Sequence, residues 1–83
     1  MNPEAGEVIP EAGGVRKVRW GTKGRGKRGG YRVIYYFHNP AFPLFLLTVY
    51  SKNQKANLTN DERAEFKKLI PILVKTYSKG RKQ

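Results

Sequence analysis

One group of basic side chains has the residue types needed for chemistry on a phosphodiester. Its members come from three segments of the chain: Lys17, Arg19, Arg32, Lys52 and Lys55. Cleavage of RNA by its own 2′-hydroxyl builds negative charge on the phosphate, and preorganised arginine and lysine donors stabilise that charge. A lysine crowded by other cations also loses its proton more readily, so it could act as a general base. The same cations could instead grip phosphate without cutting it, and the residue types leave both possibilities open.

The charge of the chain is large and segregated. Seventeen Lys and Arg residues stand against six Asp and Glu residues, for a formal net charge of +11. No acidic residue lies between Ala12 and Asn60, a stretch that carries ten cations. This surplus indicates an external polyanion, with nucleic-acid phosphate as the first candidate and an acidic protein partner as the second. A surface that is basic only for solubility usually mixes both signs, so that explanation is the weaker one.

The composition argues against several other classes of site and location. The chain has no cysteine and a single histidine, His38, so we expect neither disulfides nor a metal site, and no cofactor. The longest mostly apolar stretch, Ala41 to Tyr50, is far shorter than the roughly 20 residues that a membrane span needs. The N-terminus lacks the apolar segment of a secretory signal. We therefore expect one small cytoplasmic domain with no membrane partner.

Three strands are predicted to position the cations. The β-branched and aromatic segments Val15 to Trp20, Tyr31 to His38 and Leu44 to Tyr50 predict an antiparallel meander. We expect residues 1–14 to form an N-terminal loop, residues 15–77 the core and residues 78–83 a basic tail. Between the first two strands, the segment GTKGRGKRGG combines five glycines with four cations and predicts a mobile basic loop.

A C-terminal helix is predicted to follow the last strand. Thr59 and Glu62 have the spacing of a capping box, and an apolar stripe follows at helical intervals. Because Pro71 removes a backbone donor inside this stripe, we expect a kink or break near Ile70. The predicted fold class is therefore α+β, a twisted three-strand antiparallel sheet with one helix.

The register of the meander decides whether the cations meet. A tight turn after the second strand would place Arg32 opposite Tyr50, with Leu46 on the same face. If Val18 points into the core, Lys17 and Arg19 share the face of Arg32. The segment from Lys52 to Lys55 leaves the third strand at the same edge of the sheet. Around this patch we expect RNA contacts from Arg16, Lys23, Arg25, Lys27, Arg28, Asn53 and Tyr50.

Two further expectations follow from the same pattern. His38 lies six residues from Arg32, about 20 Å along a strand, so a packing role is favoured over a catalytic one. The third strand is apolar at both alternating sets of positions, whereas one helix can cover only one face of the sheet. We therefore expect an exposed apolar sheet face that favours a homo-oligomer or a partner.

Three segments together resemble the RelE/HigB-type toxins of bacterial type II toxin–antitoxin systems. They read GGVRKVRW, GRGKRGGYRVIYYFH and LFLLTVYSKNQKANLTNDE, and the likeness spans roughly Asn2 to Leu73. The resemblance implies a RelE-like twisted antiparallel sheet with helices. It also implies translation inhibition by an mRNA interferase, a metal-independent endoribonuclease that cuts mRNA in the ribosomal A site. The implied partner is a cognate antitoxin, which in the HigB branch carries a helix-turn-helix domain.

The resemblance assigns roles to individual residues. The family's basic pair around an apolar residue matches Lys17 and Arg19, and its arginine after a Gly-Tyr pair matches Arg32. Its basic segment after the last strand matches Lys52 to Lys55. Asn53 stands where relatives of the RelE branch have an arginine, and Tyr77 corresponds only loosely to their C-terminal tyrosine. Lys55 is then the candidate to replace the general acid.

The sequence also departs from the family at its front, where the N-terminal strand and helical hairpin have no counterpart ahead of Asn2. We therefore expect a shortened member of the family. An alternative function follows: a non-catalytic basic RNA- or ribosome-binding protein, a decayed toxin that still binds an antitoxin. That alternative predicts salt-sensitive RNA binding without cleavage.

Overall fold

Four strands and one helix position the residues singled out above. A computed structural model describes residues 3–20 and 30–80, which hold all five elements. They are β1 (Glu7–Val8), β2 (Arg16–Trp20), β3 (Tyr31–Tyr36), β4 (Phe45–Ser51) and α1 (Asn60–Gly80). The predicted α+β class is confirmed, and the three predicted strands and the helix form close to their expected bounds. Most of the predicted basic loop, with its four cations, lies outside the described residues.

The sheet has one more strand than the sequence predicted. Strand β1 pairs antiparallel with β2, setting Glu7 opposite Lys17 and Val8 opposite Arg16, and the strand order is β1-β2-β3-β4. The expectation of a loop over residues 1–14 is therefore wrong. Two residues are too few to show the alternation by which strands are recognised in a sequence.

The turn between β1 and β2 contributes to the hydrophobic core. The Ile9 N–H donates to the Val15 carbonyl at 2.9 Å, which closes the turn. Ile9, Ala12 and Val15 are all buried. They pack with Ile34 and Tyr50 of the sheet and with residues that follow β4, so that the buried core comprises Ile9, Ala12, Val15, Ile34, Tyr50, Leu58 and Ile70. Residues of the N-terminal segment thus form part of this core.

The observed register of β3 and β4 agrees with the prediction at Arg32 and departs from it after Ile34. Arg32 lies opposite Tyr50, as expected. A β-bulge between Ile34 and Tyr35 then shifts the pairing, so that Tyr35 faces Leu46. The expectation that Leu46 shares the face of Arg32 is wrong, because the extra residue turns the following side chains to the other side.

Helix α1 begins with the predicted capping box. The Thr59 N–H donates to Glu62 Oε1 at 2.9 Å, and the Glu62 N–H donates to Thr59 Oγ1 at 3.1 Å. The helix then continues through Pro71 to Gly80, so of the kink or break expected near Ile70 the break is wrong. Packing on both sides of the proline, by buried Ile70 and half-buried Leu73, holds the helix on the sheet. Within the two described stretches, no helix is apolar and long enough to cross a membrane.

No part of residues 3–20 and 30–80 covers the second face of the sheet, as the pattern of β4 predicted. Leu46 is 67% exposed, Trp20 60% and Val49 55%. These side chains border a shallow groove of about 520 Å³, whose lining is Pro3, Val18, Trp20, Val33, Leu44, Leu46 and Val49. We call this surface the apolar groove. It lies opposite the face that carries Ile34 and helix α1.

Candidate functional site

Three of the predicted cations line a single cavity. Lys17 and Arg19 come from β2 and Arg32 from β3, and they border a space of about 360 Å³ together with Ala5, Gly6, Glu7 and Val18. We call Lys17, Arg19 and Arg32 the cation patch. Because the patch is carried by paired strands, its geometry is set by backbone hydrogen bonds, a more rigid support than a surface loop provides.

The sheet brings two of these cations face to face. Arg19 and Arg32 are directly opposite each other in the β2–β3 pairing, with Arg19 exposed and Arg32 half-buried. Like charges at opposite positions of an antiparallel pair destabilise a sheet. A bound anion between them would offset this repulsion, so the pairing favours a phosphate-binding role for the cavity.

Lys17 is oriented by a neutral group. Its Nζ donates to Asn57 Oδ1 at 3.3 Å, and Asn57 lies in the connection between β4 and α1. An amide oxygen fixes the direction of the lysine side chain and itself brings no negative charge.

Glu7 is a residue of this cavity that sequence reasoning missed. It stands opposite Lys17 and lines the same space, because β1 carries it to the edge of β2. It was missed because the prediction counted charges along the chain, and in sequence Glu7 is ten positions away from Lys17. A carboxylate here adds a hydrogen-bond acceptor to a surface that otherwise presents donors.

Lys55 is held differently from the cation patch. Its Nζ forms a 2.5 Å ion pair with Glu62 Oε2, so the expectation that the cations between Ala12 and Asn60 have no counter-ion in the chain is wrong for Lys55. The hydrogen bond from Lys55, followed by that from the Thr59 backbone, holds the pKa of Glu62 below its usual value. The counter-ion was missed because Glu62 belongs to the helix, which folds back over the strand.

Tyr50 is a core residue, a position that does not favour the RNA contact expected of it. Its side chain is only 4% exposed, so neither face of the ring is open to a nucleobase. Its buried hydroxyl has no hydrogen-bond partner among the residues that the structure describes. Burial raises the pKa of the Tyr50 hydroxyl, and the positive charges of Lys55 and Arg32 oppose that rise. The hydroxyl therefore lies within electrostatic reach of both cations.

The remaining predicted contacts are dispersed. The guanidinium of Arg16 donates to the carbonyls of Glu4 at 3.2 Å and Gly6 at 2.9 Å, so it holds the N-terminal segment and is not grouped with the cation patch. Lys52 and Asn53 are exposed in the turn after β4, and the Lys52 N–H donates to the Gly30 carbonyl at 3.4 Å. The last four predicted RNA contacts, Lys23, Arg25, Lys27 and Arg28, lie outside the described residues.

His38 and Tyr77 belong to an aromatic cluster at the other end of β3. The Tyr36 hydroxyl lies 3.0 Å from His38 Nδ1, and the rings of Phe42 and Tyr77 are 4.9 Å apart. Tyr36 is the last residue of β3 and Arg32 the second, so His38 lies far from the cation patch, and the packing role expected for it agrees with its contacts. Tyr77 is likewise remote from the cation patch. Across residues 3–20 and 30–80, no three His, Asp or Glu side chains are grouped to hold a metal ion.

Comparison with known protein families gives one match over nearly the whole chain. The family model described as the RelE toxin of the RelE / RelB toxin-antitoxin system matches residues 6–81. The matched region contains all four strands, helix α1 and every member of the cation patch.

Proposed function

We propose that this chain, which belongs to the RelE toxin family and is therefore a toxin of a toxin–antitoxin system, cleaves mRNA on the ribosome. Toxins of this family are generally endoribonucleases. The observation that carries the proposal is the shared cavity of Lys17, Arg19 and Arg32 in a chain of this family. The net charge of +11 supports a ribosomal target, since RNA phosphate dominates the ribosome surface.

The proposed reaction is a metal-independent transfer within the RNA strand. The 2′-oxygen bonds to the adjacent phosphorus while the bond from phosphorus to the 5′-oxygen breaks, leaving a 2′,3′-cyclic phosphate and a 5′-hydroxyl. Arg19 and Arg32 would donate to the phosphate oxygens on which charge builds. A neutral Lys17 amine would accept the proton of the 2′-hydroxyl. Lys52, in the turn beside Gly30, would contribute a further positive charge to the RNA backbone.

The proposed partners are mRNA in the ribosomal A site and a cognate antitoxin. Membership in the family implies an antitoxin, and we propose that it is of the helix-turn-helix kind found in the HigB branch. Such an antitoxin would neutralise the toxin by covering the cation patch or by preventing its access to the ribosome. Co-expression of the two proteins should restore growth, and the pair should elute together in gel filtration.

Primer extension on translated mRNA after induction of the toxin tests the proposed activity. We expect cuts at a constant position within codons, in a transcript that is being translated. The same transcript with its start codon removed should remain whole. Salt-sensitive binding to ribosomes without any cuts would contradict the proposal and support the non-catalytic alternative.

We also propose that the apolar groove is covered by a second copy of the chain. Leu46→Lys would place a charge in this interface, and we expect it to weaken self-association at least about tenfold, because a buried unpaired charge is costly. Ile72→Lys is the matched control, since Ile72 is also exposed but lies on α1. Sedimentation velocity over a concentration series measures both. A wild-type chain that stays monomeric throughout, or an equal effect of the control, would contradict this proposal.

A further inference from the structure

The two oxygens of the Glu62 carboxylate accept hydrogen bonds from two different residues. Its Oε1 accepts a hydrogen bond from the Thr59 backbone at 2.9 Å, while its Oε2 accepts one from Lys55 Nζ at 2.5 Å. A capping box needs only one of the two carboxylate oxygens, so the second is available for another partner. The capping hydrogen bond holds Glu62 in the first turn of α1. The contact with Glu62 therefore anchors the Lys55 side chain to the helix, although Lys55 itself lies in a loop.

Lys55 has a second contact, with the residue that pairs with Arg32 in the sheet. Its Nζ lies 4.9 Å from the centre of the Tyr50 ring, within the range of a cation–π interaction. Tyr50 is buried and stands directly opposite Arg32 in the sheet. Lys55, in the loop after β4, is therefore held between the buried Tyr50 ring on β4 and a carboxylate on α1.

We propose that Glu62 is a positioning residue that holds Lys55, as an ammonium, for proton donation in the cleavage reaction. This inference rests on the proposed function. As the bond from phosphorus to the 5′-oxygen breaks, that oxygen takes a proton from the Lys55 ammonium, leaving a neutral amine that water reprotonates. A general acid must be held within reach of the oxygen that it protonates, and the contact with Glu62 holds the Lys55 ammonium in one place.

The ion pair leaves Lys55 able to reach a substrate. The Lys55 side chain is 30% exposed and that of Glu62 38%, so the pair lies at the surface. An ammonium has three N–H donors, of which the hydrogen bond to Glu62 uses one. A phosphodiester oxygen can therefore approach Lys55 without displacing the carboxylate.

Glu62→Gln tests this inference, because the amide retains a cap acceptor but lacks the charge that attracts Lys55. We expect kcat for mRNA cleavage on ribosomes to fall about ten- to hundredfold, since a misplaced catalytic group costs that much, with little change in KM. Glu65→Gln is the matched charge control, an exposed carboxylate of the same helix. Thr59→Ala is the cap control, because it removes the hydroxyl of the capping box and leaves the carboxylate for Lys55.

Both controls should retain kcat close to that of the unmodified protein. Equal kcat for Glu62→Gln and the unmodified protein would overturn the inference, as would an equal loss in Thr59→Ala, which would show an effect of helix capping alone. Lysine ammonium NMR provides a readout that needs no cleavage: a persistent Lys55 signal should disappear in Glu62→Gln and remain in Glu65→Gln. If the unmodified protein does not cleave mRNA but the NMR difference between the two variants is seen, the nuclease function is refuted and the contact between Glu62 and Lys55 stands. A Lys55 signal insensitive to Glu62 would refute the contact itself.

Discussion

Replacement of Arg32 by alanine is expected to reduce the cleavage of mRNA on ribosomes by about 10²- to 10³-fold, the loss typical of one preorganised transition-state donor. Arg32 is the half-buried member of the cation patch and lies opposite both Arg19 and Tyr50. Its planar guanidinium can donate two parallel hydrogen bonds to a phosphate, which a lysine cannot reproduce. Arg32→Lys should therefore recover only part of the activity. Single-turnover cleavage assays on programmed ribosomes measure both changes.

The stability of the same variant distinguishes a catalytic loss from a folding defect. Because backbone pairing of β2, β3 and β4 carries the cation patch, we expect Arg32→Ala to unfold cooperatively near the melting temperature of the unmodified protein. Lys68→Ala, which removes an exposed cation from α1, controls for net charge and should cleave normally. Ribosome binding by Arg32→Ala should remain within a few-fold of the unmodified protein, as one phosphate contact among several is lost. Full cleavage activity in Arg32→Ala would show that the reactive site lies elsewhere.

Replacement of Gly13 by alanine is expected to lower the free energy of unfolding by about 2–4 kcal/mol, combining left-handed backbone strain with overpacking. Gly13 has a φ of 76°, and a Cβ there would lie 3.0 Å from the Cα of Lys67 and 3.1 Å from the carbonyl oxygen of Phe66. These are backbone atoms of α1, so they cannot move aside as a side chain does. The turn between β1 and β2 would have to separate from the helix. Urea unfolding followed by circular dichroism measures the change.

Gly14 provides the matched control for this prediction. Its φ of 97° imposes the same kind of backbone strain, but a Cβ there would meet only the edge of the Tyr36 ring at 3.4 Å. Gly14→Ala should therefore cost about 1–2 kcal/mol, the left-handed strain alone. Equal losses for the two variants would show that close packing of the turn against α1 does not contribute to stability.

Much of the fold was predictable from the sequence because its signals are local. The aromatic and branched runs of β3 and β4 favour strands through local preference. Thr59 and Glu62 specify the start of α1 through hydrogen bonds between residues three positions apart. Turn lengths then sufficed to set Arg32 opposite Tyr50. The cation patch was predictable for the same reason, since Lys17, Arg19 and Arg32 follow strand alternation within two adjacent strands.

What only the tertiary structure decided is where distant segments meet. Strand β1 forms because Glu7 and Val8 pair with β2. Two residues are too few to show the alternation of apolar and polar side chains that predicts a strand. The counter-ion of Lys55 comes from a helix that folds back over β4, and the bulge at Tyr35 reverses the face of Leu46. Pairing, burial and ion contacts depend on distances in space that sequence spacing does not encode. The sequence alone therefore determined β2, β3, β4, the helix and the excess of positive charge. The tertiary structure decided which cations line the cavity and which, like Lys55, pair with a carboxylate.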